Sequence, residues 1–417
     1  MDRYLTPQLT RHFGEHRQMA FLSGPRQVGK TTIARQLCER LGTPDSYLNW
    51  DNLDHRALVL SGPERIVTHL GLDRLREAKA FCAFDELHKY RRWRDLLKGL
   101  FDQHENELSV LVTGSARLDV FKRGGDSLMG RYFPYTLHPV SVAEILAAEG
   151  TSGKVVDRAD VLDRSEPIDR APRGIDEDRW EALNRFGGFP EPFIKAEQRF
   201  WTRWRGLRTQ QLLREDLRDL TRVQAIDQIE ILAETLRHQI GQLTSYTSLS
   251  NHARVSVDTV RRWLAILQAL HYCFAVRPWH RNVPRALRKE PKIYLRDWSL
   301  VDDTGARAEN LVAAALLKAC DGWTETGLGD FALHFLRDKE KREVDFLVCR
   351  DARPWFLVEV KSSGRAPLSH ALAHFQRLTG AGHAFQVAMD LPFVERDCFE
   401  TTRPTIVPAR TLLAQLV

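Results

Sequence analysis

At 417 residues, with 43% hydrophobic and 28% charged side chains, the chain is too long for one average domain and too apolar to be wholly disordered. Lys plus Arg number 61 against 55 for Asp plus Glu, a formal net charge of +6 with pI near 9.0; this permits a polyanionic partner without requiring one. No run approaches the roughly 18 apolar residues of a membrane helix, the start Met1-Asp2-Arg3-Tyr4-Leu5 has no apolar signal core, and the six cysteines are scattered without a Cys-x-x-Cys pair, so the expectation is a reducing cytoplasm rather than a membrane, disulfide-framework or zinc-knuckle protein.

Residues 19–23, Met-Ala-Phe-Leu-Ser, predict a short buried strand, followed by a Gly-rich turn and a helix from about 31 to 41. Residues 80–84 form a second apolar run that ends in Asp85-Glu86, and 108–112 a third that ends in Thr-Gly-Ser. Short apolar strands alternating with helical stretches indicate a parallel α/β sheet, here over about residues 1–150. Residues 151–178 read as a linker or mobile loop rich in Asp, Arg, Pro and Gly. Helical patterns return at Trp180, as a connector over 179–225 and as apolar residues at helical spacing in 226–240 and 257–270. From 297 to 417 strands and helices mix again.

Gly24-Pro25-Arg26-Gln27-Val28-Gly29-Lys30-Thr31 fits G-x-x-x-x-G-K-[ST] in full, with a strand before it and a helix after, and Thr32 continues that helix. Backbone N–H groups freed by such a turn wrap phosphates, and the helix N-terminus adds partial positive charge. Lys30 is expected to bridge the β- and γ-phosphates of ATP, and Thr31 to ligate Mg²⁺. Asp85 at a strand end can hold the magnesium, and Glu86 can polarise the attacking water. Ser115 reads equally as a γ-phosphate contact or as the N-cap of Ser-Ala-Arg-Leu. Arg131, after a Gly-rich loop, reads from its surroundings as a surface arginine, with an arginine finger as the alternative.

These segments, with 93–100, Thr113-Gly114-Ser115-Ala116-Arg117-Leu118, Gly130-Arg131-Tyr132, Gly187-Gly188-Phe189-Pro190-Glu191 and 343–363, resemble a family of prokaryotic AAA-type ATPases. That family joins an N-terminal ATPase domain to C-terminal winged-helix and restriction-endonuclease-like parts of uncharacterised function. The resemblance spans most of the chain. It implies Ser115 as a sensor, Arg131 as a finger acting on a neighbour's nucleotide, and a homo-oligomer such as a hexameric ring. Asp297-Trp298-Ser299-Leu300 departs from it, because the family usually has Gly in the third place, which puts a tight turn there in question.

Over 226–296 the pattern predicts helix, turn, helix and two strand-like runs, a winged-helix arrangement. Ser256 is a good N-cap for the second helix, with Asp258 and Thr259 in its first turn, and Arg261 and Arg262 project from it. Between and beside the strands, residues 277–296 hold Arg277, Arg281, Arg285, Arg288, Lys289, Lys292 and Arg296 against the single Glu290, a net of +6 equal to that of the whole chain. A recognition helix in the major groove with a basic wing on phosphates is one reading, with duplex or branched DNA as the partner. A packing module with a solvated basic loop is the other.

The C-terminal part predicts a strand at 343–348 and another at 355–361, with Glu359 and Lys361 on one face and Asp345 near enough for a hairpin to return beside it. Glu309 lies on the apolar-patterned helix 309–319. The set Glu309, Asp345, Glu359 and Lys361 is similar to the restriction-endonuclease-like superfamily, in which the acids bind Mg²⁺ and the lysine stabilises charge on the phosphate. Three functions are therefore open: an oligomeric, Mg²⁺-dependent ATP hydrolase that binds, moves or remodels DNA in repair, recombination or defence; an ATP-gated, metal-dependent nuclease; and a nucleotide-controlled switch that binds a protein partner. The leading expectation is the first.

Overall fold

The computed structural model describes residues 3–114, 128–148, 174–217, 226–279 and 290–417. Ser115, Arg281, Arg285, Arg288 and Lys289 lie outside these described residues, as does most of the expected linker. The chain divides into two compact units, residues 2–138 and 139–417.

In the first unit the described elements run α1 (Leu5–Glu15), β1 (Met19–Ser23), α2 (Lys30–Leu41), β2 (Tyr47–Asn49), α3 (Leu53–Leu60), α4 (Pro63–His69), β3 (Ala80–Asp85), α5 (Trp93–His104), β4 (Leu108–Thr113) and β5 (Tyr132–Thr136). The strands form a sheet in the order β2-β3-β4-β1-β5, and every pair is parallel. Every residue of β1, β3 and β4 is buried, which is why these strands read as unbroken apolar runs rather than alternating ones. Along β1 the pleat sends Met19 and Phe21 to one face, where they join Cys82, Phe84, Val110 and Val112 and the α5 residues Trp93, Leu97 and Leu100. The ends of β1, β3 and β4 that carry the phosphate loop, Asp85 and Thr113 thus come together at the C-terminal edge of the sheet.

The second unit begins with α6 (Val142–Ala148), α7 (Glu177–Phe186), α8 (Pro190–Lys195), α9 (Gln198–Gln210), α10 (Ile226–Arg237), α11 (Tyr246–Ala253), α12 (Val257–Ala269), β6 (Cys273–Pro278) and β7 (Lys292–Leu295). It ends with α13 (Thr304–Glu325), β8 (Phe331–Arg337), β9 (Glu343–Arg350), β10 (Arg353–Lys361), α14 (His370–Thr379), β11 (His383–Ala388), β12 (Thr405–Pro408) and α15 (Ala409–Ala414). Its mixed sheet has the order β12-β11-β10-β9-β8-β6-β7. The α/β class, the helical middle and the mixed C-terminal sheet agree with expectation.

Three features differ from the sequence reading or resolve it. Residues 139–148 pack with the second unit rather than the first: α6 packs against α15, and Glu144 forms a buried ion pair with Lys318 of α13. The expected wing, β6–β7, is an antiparallel hairpin, but β6 also pairs in parallel with β8, so the hairpin extends the C-terminal sheet instead of standing apart from it. The turn at Ser299 forms without glycine. Asp297 accepts hydrogen bonds from the Ser299 N–H and hydroxyl, and Ser299 is not among the positive-φ residues. The close approach is made by Gly188 instead, where a Cβ would lie 2.6 Å from both the Trp298 ring and the Val140 carbonyl oxygen.

Candidate functional site

The phosphate loop leaves β1 at Gly24, whose φ of +147° and close approach to the Leu137 backbone leave no room for a side chain. Gln27 and Gly29 are also at positive φ, so the loop coils back before α2 starts at Lys30. The buried Lys30 ammonium donates to the carbonyls of Gly24 and Pro25, 2.8 Å each. Arg3 braces the loop from outside, donating to the Val28 carbonyl at 2.6 Å and to that of His138.

Asp85, buried at the end of β3, collects three hydroxyl donors. Thr31 donates to Oδ2 at 2.8 Å, Tyr47 donates to Oδ2 at 2.6 Å, and Thr113 donates to Oδ1. Burial, then the hydrogen bond to the Asp85 carboxylate, push the Tyr47 phenol above its ordinary range. Glu86 follows in a left-handed conformation (φ +56°), and its N–H donates to the Thr113 carbonyl at 3.1 Å. Burial raises its carboxyl pKa, against the pull of Lys89 and Lys30. Its Oε2 lies 3.4 Å from His88 Nε2 and 3.7 Å from the Lys89 ammonium. The loop, Thr31, Asp85 and Glu86 are therefore assembled as the motif spacing requires. The oxygen donors of Thr31 and Asp85 suit a hard divalent cation such as Mg²⁺, and the Lys30 ammonium and loop backbone suit the phosphates of a nucleotide.

Arg131 sits elsewhere. Its carbonyl accepts from Met19 N–H at the start of β1, about 17 Å of strand away from the phosphate loop. Its guanidinium forms a forked pair with Asp102 at 2.6 and 3.1 Å.

In the second unit the hairpin of β9 and β10 returns as expected, and Asp345 Oδ2 accepts from the Val360 N–H at 2.8 Å. Lys361 donates to Glu359 Oε1 at 2.8 Å on the shared face. Glu309 accepts from the Tyr294 hydroxyl at 2.6 Å. Lys292 departs from expectation. Its side chain is 2% exposed, and its ammonium lies 2.6 Å from Glu343, 3.5 Å from Glu309 and 3.9 Å from Asp345. It is no surface phosphate contact, because β7 directs it into the acidic cluster. Burial pulls its pKa down, but Glu309, Asp345 and Glu343 together outweigh that and raise it. Burial, then Glu309 and Glu359, push the Asp345 carboxyl well up. Of the expected metal set, Glu309 and Asp345 thus share the Lys292 ammonium and Glu359 pairs with Lys361; among the described residues no group of three His, Cys, Asp or Glu is arranged to hold a metal ion.

Of the other expected DNA contacts, Arg261 and Arg262 are exposed on α12, while Arg277 is half-buried. Ser256 caps α12 by accepting from the Thr259 N–H, and the Arg261 guanidinium lies 5.3 Å from the centre of the Tyr246 ring. The sequence reading missed Arg3, Tyr47 and Thr113 at the first site and Glu343, Tyr294 and Arg337 at the second. Period-two alternation could have found Glu343, which shares a face of β9 with Asp345, and Tyr294, which shares one of β7 with Lys292.

Residues 16–146 match the family model of an AAA domain. Residues 177–307 and 304–398 match two domains of unknown function, DUF8612 and DUF4143. Uncharacterised proteins of Mycobacterium tuberculosis and Mycobacterium bovis are each 24% identical over 374 residues, covering 85% of this chain and 72% of theirs. Among solved structures, Aeropyrum pernix Orc1 in complex with DNA is 15% identical with a TM-score of 0.34, over 75% of this chain and 93% of that one. Caenorhabditis elegans PCH-2 is 15% identical with a TM-score of 0.28, over 63% and 69%. Neither TM-score carries a functional argument. Among the described residues no helix is long and apolar enough to cross a membrane. The first unit of this chain is an AAA-type P-loop domain, joined to C-terminal domains of unknown function.

Proposed function

We propose that the protein is an Mg²⁺-dependent ATP hydrolase that works as a homo-oligomer and binds, moves or remodels DNA. The observation that carries this reading is the meeting of Lys30, Thr31, Asp85 and Glu86 at one edge of a parallel sheet. Thr31 and Asp85 would hold Mg²⁺, which when bound neutralises charge on the β- and γ-phosphates. Lys30 would exchange the carbonyls of its own loop for phosphate oxygens, a stronger charge-assisted contact. Glu86 would take the proton of the attacking water at its carboxylate. Burial suits that task, since a base works best with a pKa closer to the operating pH.

The oligomer rests on the family resemblance, which makes Arg131 a finger. Arg131 lies at the far end of the sheet from its own phosphate loop, where a finger serves only a neighbour's nucleotide. A DNA role is supported by the capped α12 with exposed Arg261 and Arg262, next in the chain to the segment that carries the net charge. The ammonium inside the acidic cluster speaks against the metal-dependent nuclease alternative. The test is the ATPase rate with and without duplex or branched DNA across a salt series. Stimulation that fades steeply with salt is expected. No stimulation and no DNA binding at low salt would turn the reading towards a nucleotide-controlled switch on a protein partner.

A further inference from the structure

We propose that the Lys292 ammonium holds the place of a divalent cation in the acidic cluster of β9, β10 and α13, so that this nuclease-like core binds no metal ion. Four carboxylates, Glu309, Glu343, Asp345 and Glu359, converge there at the sheet face. Three side-chain cations answer them. Lys292 contacts Glu343, Glu309 and Asp345, Arg337 contacts Glu343 from its outer side, and Lys361 contacts Glu359.

A hard divalent ion needs several carboxylate oxygens at once at short range. Here those oxygens are largely engaged. Glu343 gives one oxygen to Lys292 and the other to Arg337. Asp345 Oδ2 takes the Val360 N–H, Glu309 Oε1 takes the Tyr294 hydroxyl, and Glu359 Oε1 takes Lys361. Glu359 Oε2 is buried and accepts no hydrogen bond.

A buried lysine is tolerated only when it is paired, and clustered buried carboxylates only when they are neutralised. Lys292 meets both conditions in one group. The cation is covalent, fixed to β7, and cannot dissociate or be exchanged as a metal can. Without it, Glu309 and Asp345 would lose their shared cation, and with the open Glu359 oxygen they would need another, such as a divalent metal ion.

The test uses the full chain carrying Thr31→Ala, without nucleotide, so that Mn²⁺ at the phosphate loop is weakened in every sample. Mn²⁺ is titrated and followed by electron paramagnetic resonance, and melting is measured with and without it. In this parent, Mn²⁺ stoichiometry is expected to be unchanged by Asp345→Asn. Adding Lys292→Gln is expected to create an Mn²⁺ site that Asp345→Asn removes, with an Mn²⁺-dependent rise in Tm of about 4 °C or more. A parent site lost on Asp345→Asn would overturn the proposal, and so would a folded Lys292→Gln chain that gains no site. If Lys292→Gln does not fold, the comparison of the parent with Asp345→Asn decides alone: equal stoichiometry supports the proposal and a lost site overturns it.

Discussion

The Thr31 hydroxyl donates a 2.8 Å hydrogen bond to Asp85 Oδ2, tying the first turn of α2 to the end of β3. Tyr47 and Thr113 hold the same carboxylate from two further strands. Asp85 is thus held at the end of β3 by three donors. Asp85→Asn should raise the Mg²⁺ concentration needed for half-maximal ATPase activity by at least about 10–100-fold, since the loss of even an outer-shell partner of a metal costs that much. Tyr47→Phe, which removes one of three donors, should shift it far less. A magnesium titration of the ATPase rate checks both.

Arg131 and Asp102 make the second prediction. The forked pair keeps the guanidinium on its own subunit, and the assignment in trans requires it to reach across an interface. Arg131→Ala should retain ATP binding and lose about 10³-fold or more of the turnover, the scale of an arginine finger. Mixing Arg131→Ala with Lys30→Ala subunits should restore part of the activity, because the second supplies the finger that the first lacks. Two inactive preparations that stay inactive when mixed would remove the trans assignment.

A third prediction concerns the joint between 139–148 and the C-terminal helices. Lys318 is 1% exposed and donates to Glu144, to the Ser141 hydroxyl at 2.9 Å and to the Pro139 carbonyl at 3.3 Å. Lys318→Met alone leaves a buried carboxylate without its cation and should cost about 3–5 kcal/mol in denaturant unfolding. The double variant Lys318→Met with Glu144→Leu should recover most of that loss, since a buried pair is often replaced by apolar groups at little net cost.

A pH dependence follows from His12, buried between α1 and β5. Its Nε2–H donates to the Gln18 carbonyl at 2.8 Å, and Nδ1 accepts from the Tyr135 hydroxyl at 3.0 Å. Both nitrogens are used by the neutral ring. Burial lowers its pKa from the ordinary 6.5, with His16 adding to the effect and the Gln18 bond opposing it. The unfolded chain therefore takes up a proton at a pH where the folded one does not. The His12 contribution is present above pH 6.5 and is lost progressively below it. Melting curves of the wild type and His12→Phe across that window should converge as the pH falls.

For DNA, removing Arg261 and Arg262 should reduce the slope of log affinity against log salt by about 1.8, two phosphates at about 0.9 each. Neutralising Arg281, Arg285 and Arg288 should abolish most polyanion binding. Neither set should alter the ATPase rate measured without DNA. Equal salt slopes in all the variants would place the DNA contact elsewhere or nowhere.

Much of the first site was legible because its signals are local. The loop, Thr31, Asp85 and Glu86 stand in short segments whose backbone geometry is set by glycine and by buried parallel strands. Tyr47 and Thr113 were not legible as Asp85 partners, because the order β2-β3-β4 that brings them together is a tertiary fact with no marker in either segment. Lys292 shows the opposite failure. It stands in the most basic stretch of the chain, and composition assigns it to that stretch. Strand alternation in β7, however, sends Lys292 and Tyr294 to the acids of α13 and β9, away from solvent. The local excess of +6 in 277–296 is therefore only partly a surface charge, since one of its lysines is spent on neutralising the protein's own carboxylates.

The most direct test of ATP hydrolysis at the Thr31–Asp85–Glu86 edge is a single-turnover assay with labelled ATP on Glu86→Gln beside the wild type. The variant should bind ATP normally and retain it as ATP, with hydrolysis slowed by about 10²–10⁴-fold, the range for loss of a general base. Release of ADP by Glu86→Gln at the wild-type rate would contradict the assignment of that edge as the hydrolytic centre.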